Sequence, residues 1–148
     1  MKVDSILKGK GRNVETVRPS TSVMIILHKL TTLRIGALVV SVDDSSVDGI
    51  VNERDVVRGL NKHGARLLEM QVGEVMSKGV PVCSPDDTLR RVMEEMTRTR
   101  NRHLPVVDQG KLCGLISIGD VVKNLIEEVD LEVGVLRDAY IAGRRPTK

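Results

Sequence analysis

The stretch NRHLPVVDQGKLCGLISIGDVV, residues Asn101–Val122, predicts a strand, a tight turn, a second strand and the start of a helix. The two apolar runs, Leu104–Val107 and Leu112–Ser117, contain β-branched residues that favour strands. Between them, Asp108–Lys111 carries the polar residues and the glycine of a tight turn. We therefore expect the strands to pair as a hairpin, which places the two ends of the stretch side by side.

Four polar residues mark the ends of this hairpin. Arg102 and His103 stand at the entry to the first strand, and Ser117 and Asp120 follow the second strand at the start of the helix. A cation, two donors and a carboxylate at a helix N-terminus suit a ligand that carries phosphate. The spacing of Ser117 and Asp120 alone favours a capping box, in which both side chains bond free backbone N–H groups. The cation, Arg102, has no part in a helix cap, so its presence beside Ser117 and Asp120 favours ligand binding.

The same order of features occurs twice in the chain, about 65 to 69 residues apart. Each copy has a short strand, an amphipathic helix, a hairpin and a second helix, and the short strands are expected at Val14–Val17 and Val80–Cys83. The equivalent apolar helix positions are Val23, Ile26, Leu27 and Leu30 in the first copy and Leu89, Val92, Met93 and Met96 in the second. A unit of roughly 60 residues buries too little surface to be stable alone, so we expect the two copies to pack together.

The repeated unit resembles the CBS domain, the module named after cystathionine β-synthase. The residues that carry the resemblance are Arg102–Asp108, Gly110–Leu112, Gly114–Ser117 and Gly119–Val122, and the likeness extends over almost the whole chain as two tandem copies. It implies an α+β fold of two β-α-β-β-α repeats with pseudo-two-fold symmetry. The two sheets would face each other with helices outside, and the pair resembles the stand-alone type of bacteria and archaea. A long C-terminal helix, more than the repeat needs, completes the predicted fold.

The chain divides into three predicted parts. Residues 1–64 form the first CBS motif with its linker, residues 65–130 the second, and residues 131–148 a helical extension with a frayed basic tail at Gly143–Lys148. The extension is predicted because the apolar helical pattern continues through Leu131, Val133, Leu136 and Tyr140. Its apolar face could cover the module or a partner subunit.

The resemblance further implies two clefts between the motifs that bind an adenine nucleotide. In the first, the Asp120 cleft, Asp120 and Ser117 would hold the ribose hydroxyls, and Arg102 and His103 the phosphate. The purine would lie against the first repeat, near Lys8–Val14, Ile35, Gly36 and Ala37, with an apolar contact from Leu115.

The second cleft, the Asp55 cleft, would mirror the first. Its predicted residues are Asp55, Asn52 and Ile50 from the first repeat and Ser77 and Val82, with the Asn101–Leu104 strand, from the second. Ile35 and Gly36 are expected where the second repeat has Arg102 and His103. The first repeat therefore lacks a phosphate cation of its own, although Arg34 is adjacent and Arg100 or Arg102 could reach across. We expect unequal sites, with the Asp120 cleft the better one.

Composition excludes several other classes of function. The 148 residues carry a net charge of +3 and one aromatic residue, Tyr140, so base stacking is nearly unavailable and nucleic-acid binding is not expected. Cys83 and Cys113 lack the spacing of a zinc site, and no nucleophile–base pair indicates an enzyme. The apolar runs are too short for a membrane span or a signal peptide, so we expect a cytoplasmic protein.

The sequence therefore predicts a non-catalytic regulatory module that needs no cofactor and senses energy state or a metabolite. Its ligand would be AMP, ADP or ATP, or a relative such as NADH or S-adenosylmethionine. The family resemblance also implies a homodimer whose state is recognised by an effector protein of unknown identity. The alternative is a scaffold without a small ligand, which the missing phosphate cation of the first repeat favours.

Overall fold

The computed structural model describes residues 1–144, arranged as five helices and two small sheets. The elements in chain order are α1 Val3–Lys10, β1 Thr16–Val17, α2 Val23–Leu33, β2 Ala37–Val40, β3 Gly49–Asn52, α3 Glu53–His63, α4 Leu89–Thr99, β4 His103–Asp108, β5 Lys111–Ser117 and α5 Ile118–Gly143. Two short 3₁₀ segments, Gly64–Glu69 and Val72–Glu74, connect α3 to the second repeat. The predicted α+β pair and its long C-terminal helix are confirmed, and the predicted tail lies outside the described residues from residue 145 onward.

The two sheets differ because the first strand of the second repeat is almost absent. In the first sheet, β1 pairs parallel with β2, and β2 pairs antiparallel with β3. In the second sheet, β4 and β5 form the predicted hairpin, while the predicted strand at Val80–Cys83 is reduced to one parallel bridge from Cys83 to Val106. Pro81 and Pro85 flank this bridge, and proline has no N–H to extend it.

The helices α2 and α4 make the internal repeat visible. Each has 11 residues and begins at a hydroxyl cap, where Ser22 accepts a hydrogen bond from the backbone N–H of Ile25 and Thr88 from that of Arg91. They end at Arg34 and Arg100, with φ of 53° and 57°. An arginine in the left-handed region is uncommon, so its occurrence at both equivalent positions indicates the same local fold twice.

The opening segment of each repeat packs on the other repeat. Helix α1 places Val3, Ile6 and Leu7 in the core of the second hairpin, with Leu104 and Ile116. The segment that opens the second repeat does the reverse, because Val72, Val75 and Met76 pack with the core of the first repeat. The hydrophobic cores are therefore shared between the sequence repeats, which explains how two units of this size form one stable body.

Candidate functional site

A cleft of about 370 Å³ separates the first repeat from the N-terminus of α5. Most of its polar and apolar wall comes from the end of α1, the residues after α2 and the two ends of the second hairpin. The lining residues are Lys10, Gly11, Asn13, Val14, Glu15, Arg34, Ile35, Gly36, Ala37, His103, Leu115 and Ser117. This is the predicted Asp120 cleft, since Ser117 and Lys10 are both bonded to the Asp120 carboxylate.

Asp120 caps α5 and contacts a lysine of the opposite repeat. Its Oδ2 accepts hydrogen bonds from the backbone N–H of Ser117 at 2.9 Å and from Lys10 Nζ at 2.8 Å, and Ser117 Oγ accepts the Asp120 N–H at 3.1 Å. Within residues 1–144, nothing donates to Oδ1. Burial raises the pKa of Asp120, but the hydrogen bonds from Lys10 and Ser117 outweigh it and leave the pKa below its ordinary value. The capping box is therefore formed with one oxygen of an ionised carboxylate.

The Asp55 cleft has a volume of about 310 Å³ and lies at the N-terminus of α3. Asp55 is 2% exposed. Its Oδ2 accepts the Asn52 N–H at 3.0 Å, and its Oδ1 accepts Ser77 Oγ at 2.6 Å and Arg58 Nη1 at 3.4 Å. The remaining lining residues are Gly36, Glu53, Arg54, Thr99, Arg100, Asn101, Arg102 and His103. Four arginines thus line this cleft with the carboxylates of Asp55 and Glu53, and Arg58 is the one that contacts Asp55.

Three predicted site residues lie elsewhere than expected. Arg102 is absent from the lining of the Asp120 cleft, its first expected place, and lines the Asp55 cleft, which the sequence also allowed it to reach. Val82 lies beside Cys83 and Asp87, outside both clefts, since the expected strand at this point is not formed. Ile50 is buried and lines neither cleft; its N–H donates to the Ser77 carbonyl at 3.0 Å.

The strand register also corrects the expected equivalence between the repeats. His103 pairs with Ser117 in the second hairpin, and Ala37 pairs with Asn52 in the first. Because Asn52 and Ser117 are the caps of α3 and α5, Ala37 is the equivalent of His103, and Gly36 that of Arg102. The residues equivalent to Arg102 and His103 are therefore Gly36 and Ala37, one position later than the predicted Ile35 and Gly36.

Comparison with known proteins decides the family, because the family model described as CBS domain matches twice, at residues 10–62 and 72–127. The chain belongs to the CBS domain family. It is 43% identical to a CBS-domain containing protein from Agrobacterium tumefaciens, with a TM-score of 0.81 over 84% of this chain and 98% of that one. It is 30% identical to CBSX3, mitochondrial, of Arabidopsis thaliana, over 95% of this chain and 72% of the relative. It is also 30% identical to CBSX2, whose crystal structure in complex with AMP matches with a TM-score of 0.68 over 79% of this chain and 90% of that one.

The same comparisons indicate a CBS pair and no enzyme family. In the part of the chain that the structure describes, no three His, Cys, Asp or Glu side chains are grouped to hold a metal ion. Nor does any helix between residues 1 and 144 combine the length and apolar content needed to cross a membrane.

Sequence reasoning missed several cationic residues of this CBS pair. Lys10 was expected only as part of a purine-binding loop, yet it bridges the Asp120 carboxylate and, at 3.0 Å, the Leu115 carbonyl. Arg54 and Arg58 lie on the first turns of α3, where the sequence shows only a solvated helical face. Arg34 and Arg100, in contrast, were named from the sequence; they are 66 residues apart, and each follows the helix before a cleft-lining strand.

Gly36 and His103 form a wall that the two clefts of the CBS pair share. A Cβ atom on Gly36 would lie 3.2 Å from His103 Cε1, so the glycine leaves the room that the imidazole occupies. Burial and the charge of Lys10 lower the pKa of His103. The neutral imidazole is thus favoured in the fold, and its contribution to stability is lost as the pH falls below 6.5, its ordinary pKa.

Replacing Lys10 by methionine should raise the pKa of His103. The substitution removes the ammonium charge that opposes protonation and leaves the Asp120 carboxylate to attract the proton. A pH titration of the His103 Cε1–H signal by NMR measures this shift, with Lys62→Met, outside both clefts, as the control. A His103 pKa equal in Lys10→Met and the wild type would contradict the proposed electrostatic contact.

Proposed function

We propose that this CBS pair is a regulatory module that binds adenine nucleotides, AMP or ATP, in its two clefts, without a cofactor and as a homodimer. The observation that carries the proposal is that an aspartate and an arginine from different repeats come together twice at the boundary between the repeats. Asp55 lines one cleft with Arg100 of the other repeat. Asp120 lies behind the wall of the other cleft, bonded to its lining residues Lys10 and Ser117, and Arg34 of the opposite repeat lines that cleft. Cytoplasmic location and an effector protein stay predictions.

The chemistry of the clefts suits the parts of a nucleotide. Ionised carboxylates accept hydrogen bonds from a ribose diol, and planar guanidinium groups donate two bonds to a phosphate. Val14, Ile35, Ala37 and Leu115 supply an apolar surface for a purine in the Asp120 cleft. Volumes of about 310 and 370 Å³ fall within the range of small-molecule sites. The AMP complex of the 30% identical CBSX2 supports the same class of ligand.

The two clefts differ in charge, and this determines the ligand that we assign to each. The lining of the Asp55 cleft has four arginines against two carboxylates, Glu53 and Asp55, whereas that of the Asp120 cleft has Lys10 and Arg34 against Glu15. More phosphates favour the more basic cleft. We therefore assign ATP to the Asp55 cleft and AMP to the Asp120 cleft, the opposite of the inequality predicted from sequence.

Calorimetric titration of the purified chain with AMP and with ATP tests this proposal through a matched pair of variants. Arg34→Gln and Arg100→Gln remove one exposed charge each from equivalent helix ends, so neither should affect folding. Loss of a charge-assisted phosphate contact should weaken binding about tenfold or more. We expect Arg34→Gln to weaken AMP and Arg100→Gln to weaken ATP.

Asp120→Asn provides the complementary test of ribose binding. It removes the carboxylate charge that we assign to the diol, and AMP binding should become undetectable while thermal unfolding stays cooperative. If neither AMP nor ATP binds the wild-type chain, the nucleotide proposal is refuted.

A scaffold without a small ligand is the second candidate, and one observation favours it. Asp55 already accepts hydrogen bonds from Asn52, Ser77 and Arg58, so a ribose would have to displace a partner of the protein itself. Arg58 is the replaceable one, because its side chain is exposed and its contact with Asp55 is the longest. If neither cleft becomes fully occupied at millimolar AMP or ATP, the result would support the scaffold.

A further inference from the structure

The C-terminal helix α5 carries an exposed apolar seam along its length. Steps of four, three, four, three and four residues separate its six members, which alternate between the d and a positions of a heptad. We call this set the α5 seam: Val122, Ile126, Val129, Val133, Leu136 and Tyr140. All six side chains are exposed in the structure, while Val121 and Leu125, on the adjoining face of α5, pack in the core that includes α4.

We propose that the α5 seam pairs in parallel with the α5 seam of a second copy of this chain, as a two-stranded coiled coil. Part of the composition fits this occupant, since β-branched Ile126 and Val133 occupy two of the three a positions and Leu136 one of the three d positions, the pattern that favours parallel dimers. The other two d positions hold valine, and the third a position holds tyrosine. The proposal deepens the homodimer of the proposed function, and it is independent of nucleotide binding.

The charges beside the seam are complementary between two copies. Glu132 precedes Val133 at a g position, and Arg137 follows Leu136 at an e position, five residues later. In a parallel pair, a g residue of one helix faces the e residue of the next heptad on the other. Glu132 of each copy therefore meets Arg137 of its partner, which gives two attractive contacts related by the two-fold axis.

The module itself extends this contact. Fewer than three heptads make a short coiled coil, so additional apolar surface is needed. A shallow apolar depression of about 300 Å³ lies beside the first half of the seam, where Met93 of α4 joins Val122, Leu125, Ile126 and Val129. A partner helix that follows the seam covers this depression as well.

Sedimentation analysis of the full chain tests the seam with two matched variants. Leu136 is 70% exposed and lies in the seam, whereas Leu131 is 67% exposed and lies outside it. Both leucines are exposed, so lysine at either position leaves the fold intact. The wild type and Leu131→Lys should be dimers, and Leu136→Lys should raise the dimer dissociation constant roughly 100-fold or more, since both partners bury the charge.

Charge exchange and cross-linking test the parallel orientation. Glu132→Arg and Arg137→Glu should each weaken the dimer, and the double variant should restore it. Ile126→Cys should form a disulfide between copies under mild oxidation, in contrast to Glu127→Cys, which faces away from the seam. A monomeric wild type, a dimer equally tolerant of Leu136→Lys and Leu131→Lys, or cross-linking absent from Ile126→Cys would overturn the proposal. A monomer that still binds AMP would leave the nucleotide proposal standing.

Discussion

Replacing Asp55 by alanine should lower the free energy of unfolding by about 3 kcal/mol, which combines a lost helix cap with unpaired, half-buried donors. The Asp55 side chain is 1% exposed and accepts three hydrogen bonds. Without it, the half-buried Asn52 N–H and Ser77 hydroxyl lose the partner that holds them at the wall of the cleft. Arg58 is exposed and would return to solvent at little cost.

Asp120→Ala is the matched control, because Asp120 occupies the equivalent capping position in the second repeat. Its side chain is 26% exposed, so water can replace the lost bonds to Ser117 and Lys10. We expect a loss of about 1 kcal/mol, close to that of a helix cap alone. Urea unfolding of both variants measures the loss of unfolding free energy. Equal losses would show that the burial of Asp55 adds nothing to its contribution to stability.

Replacing Gly49 by alanine should cost about 2–3 kcal/mol of unfolding free energy through overpacking. A Cβ atom there would lie 2.6 Å from Met76 Sδ and 2.8 Å from the Ser77 carbonyl oxygen. The Met76 side chain can move, but the Ser77 carbonyl is held by the Ile50 N–H. Any shift of Ser77 would also disturb its hydroxyl contact with Asp55, so the Asp55 cleft should lose ligand affinity too.

Gly134→Ala serves as the opposite control, within helix α5. A Cβ atom on Gly134 meets no atom within 4 Å in the described part of the chain. Alanine in a helix interior is more favourable than glycine by about 0.5–1 kcal/mol, so this variant should be slightly more stable. Chemical denaturation measures the free energy of unfolding of both variants. If Gly49→Ala is as stable as Gly134→Ala, the segment around Ser77 can move to accommodate the extra Cβ atom, and the prediction is wrong.

Local pattern was sufficient to predict the elements that depend on near neighbours in the chain. The apolar spacing of α2 and α4, the turn residues of the second hairpin and the continued pattern of α5 all predicted the observed helices and strands. There were two exceptions: Lys8–Gly11, expected as a loop, belongs to helix α1 up to Lys10, and the expected strand at Val80–Cys83 is nearly absent. Its apolar residues favour a strand, but the prolines on either side leave only one bridge.

The sequence by itself determined the repeat, the family and the two capping aspartates, because each rests on residue types at short, fixed spacings. Only the tertiary structure decided which cleft each cation enters. Arg102 and His103 are neighbours in the chain, yet Arg102 lines the Asp55 cleft and His103 the wall that both clefts share. Lys10 reaches Asp120 across 110 positions of the chain. Such contacts depend on how α1 packs against the second repeat. The spacing of residues along the chain does not predict that packing.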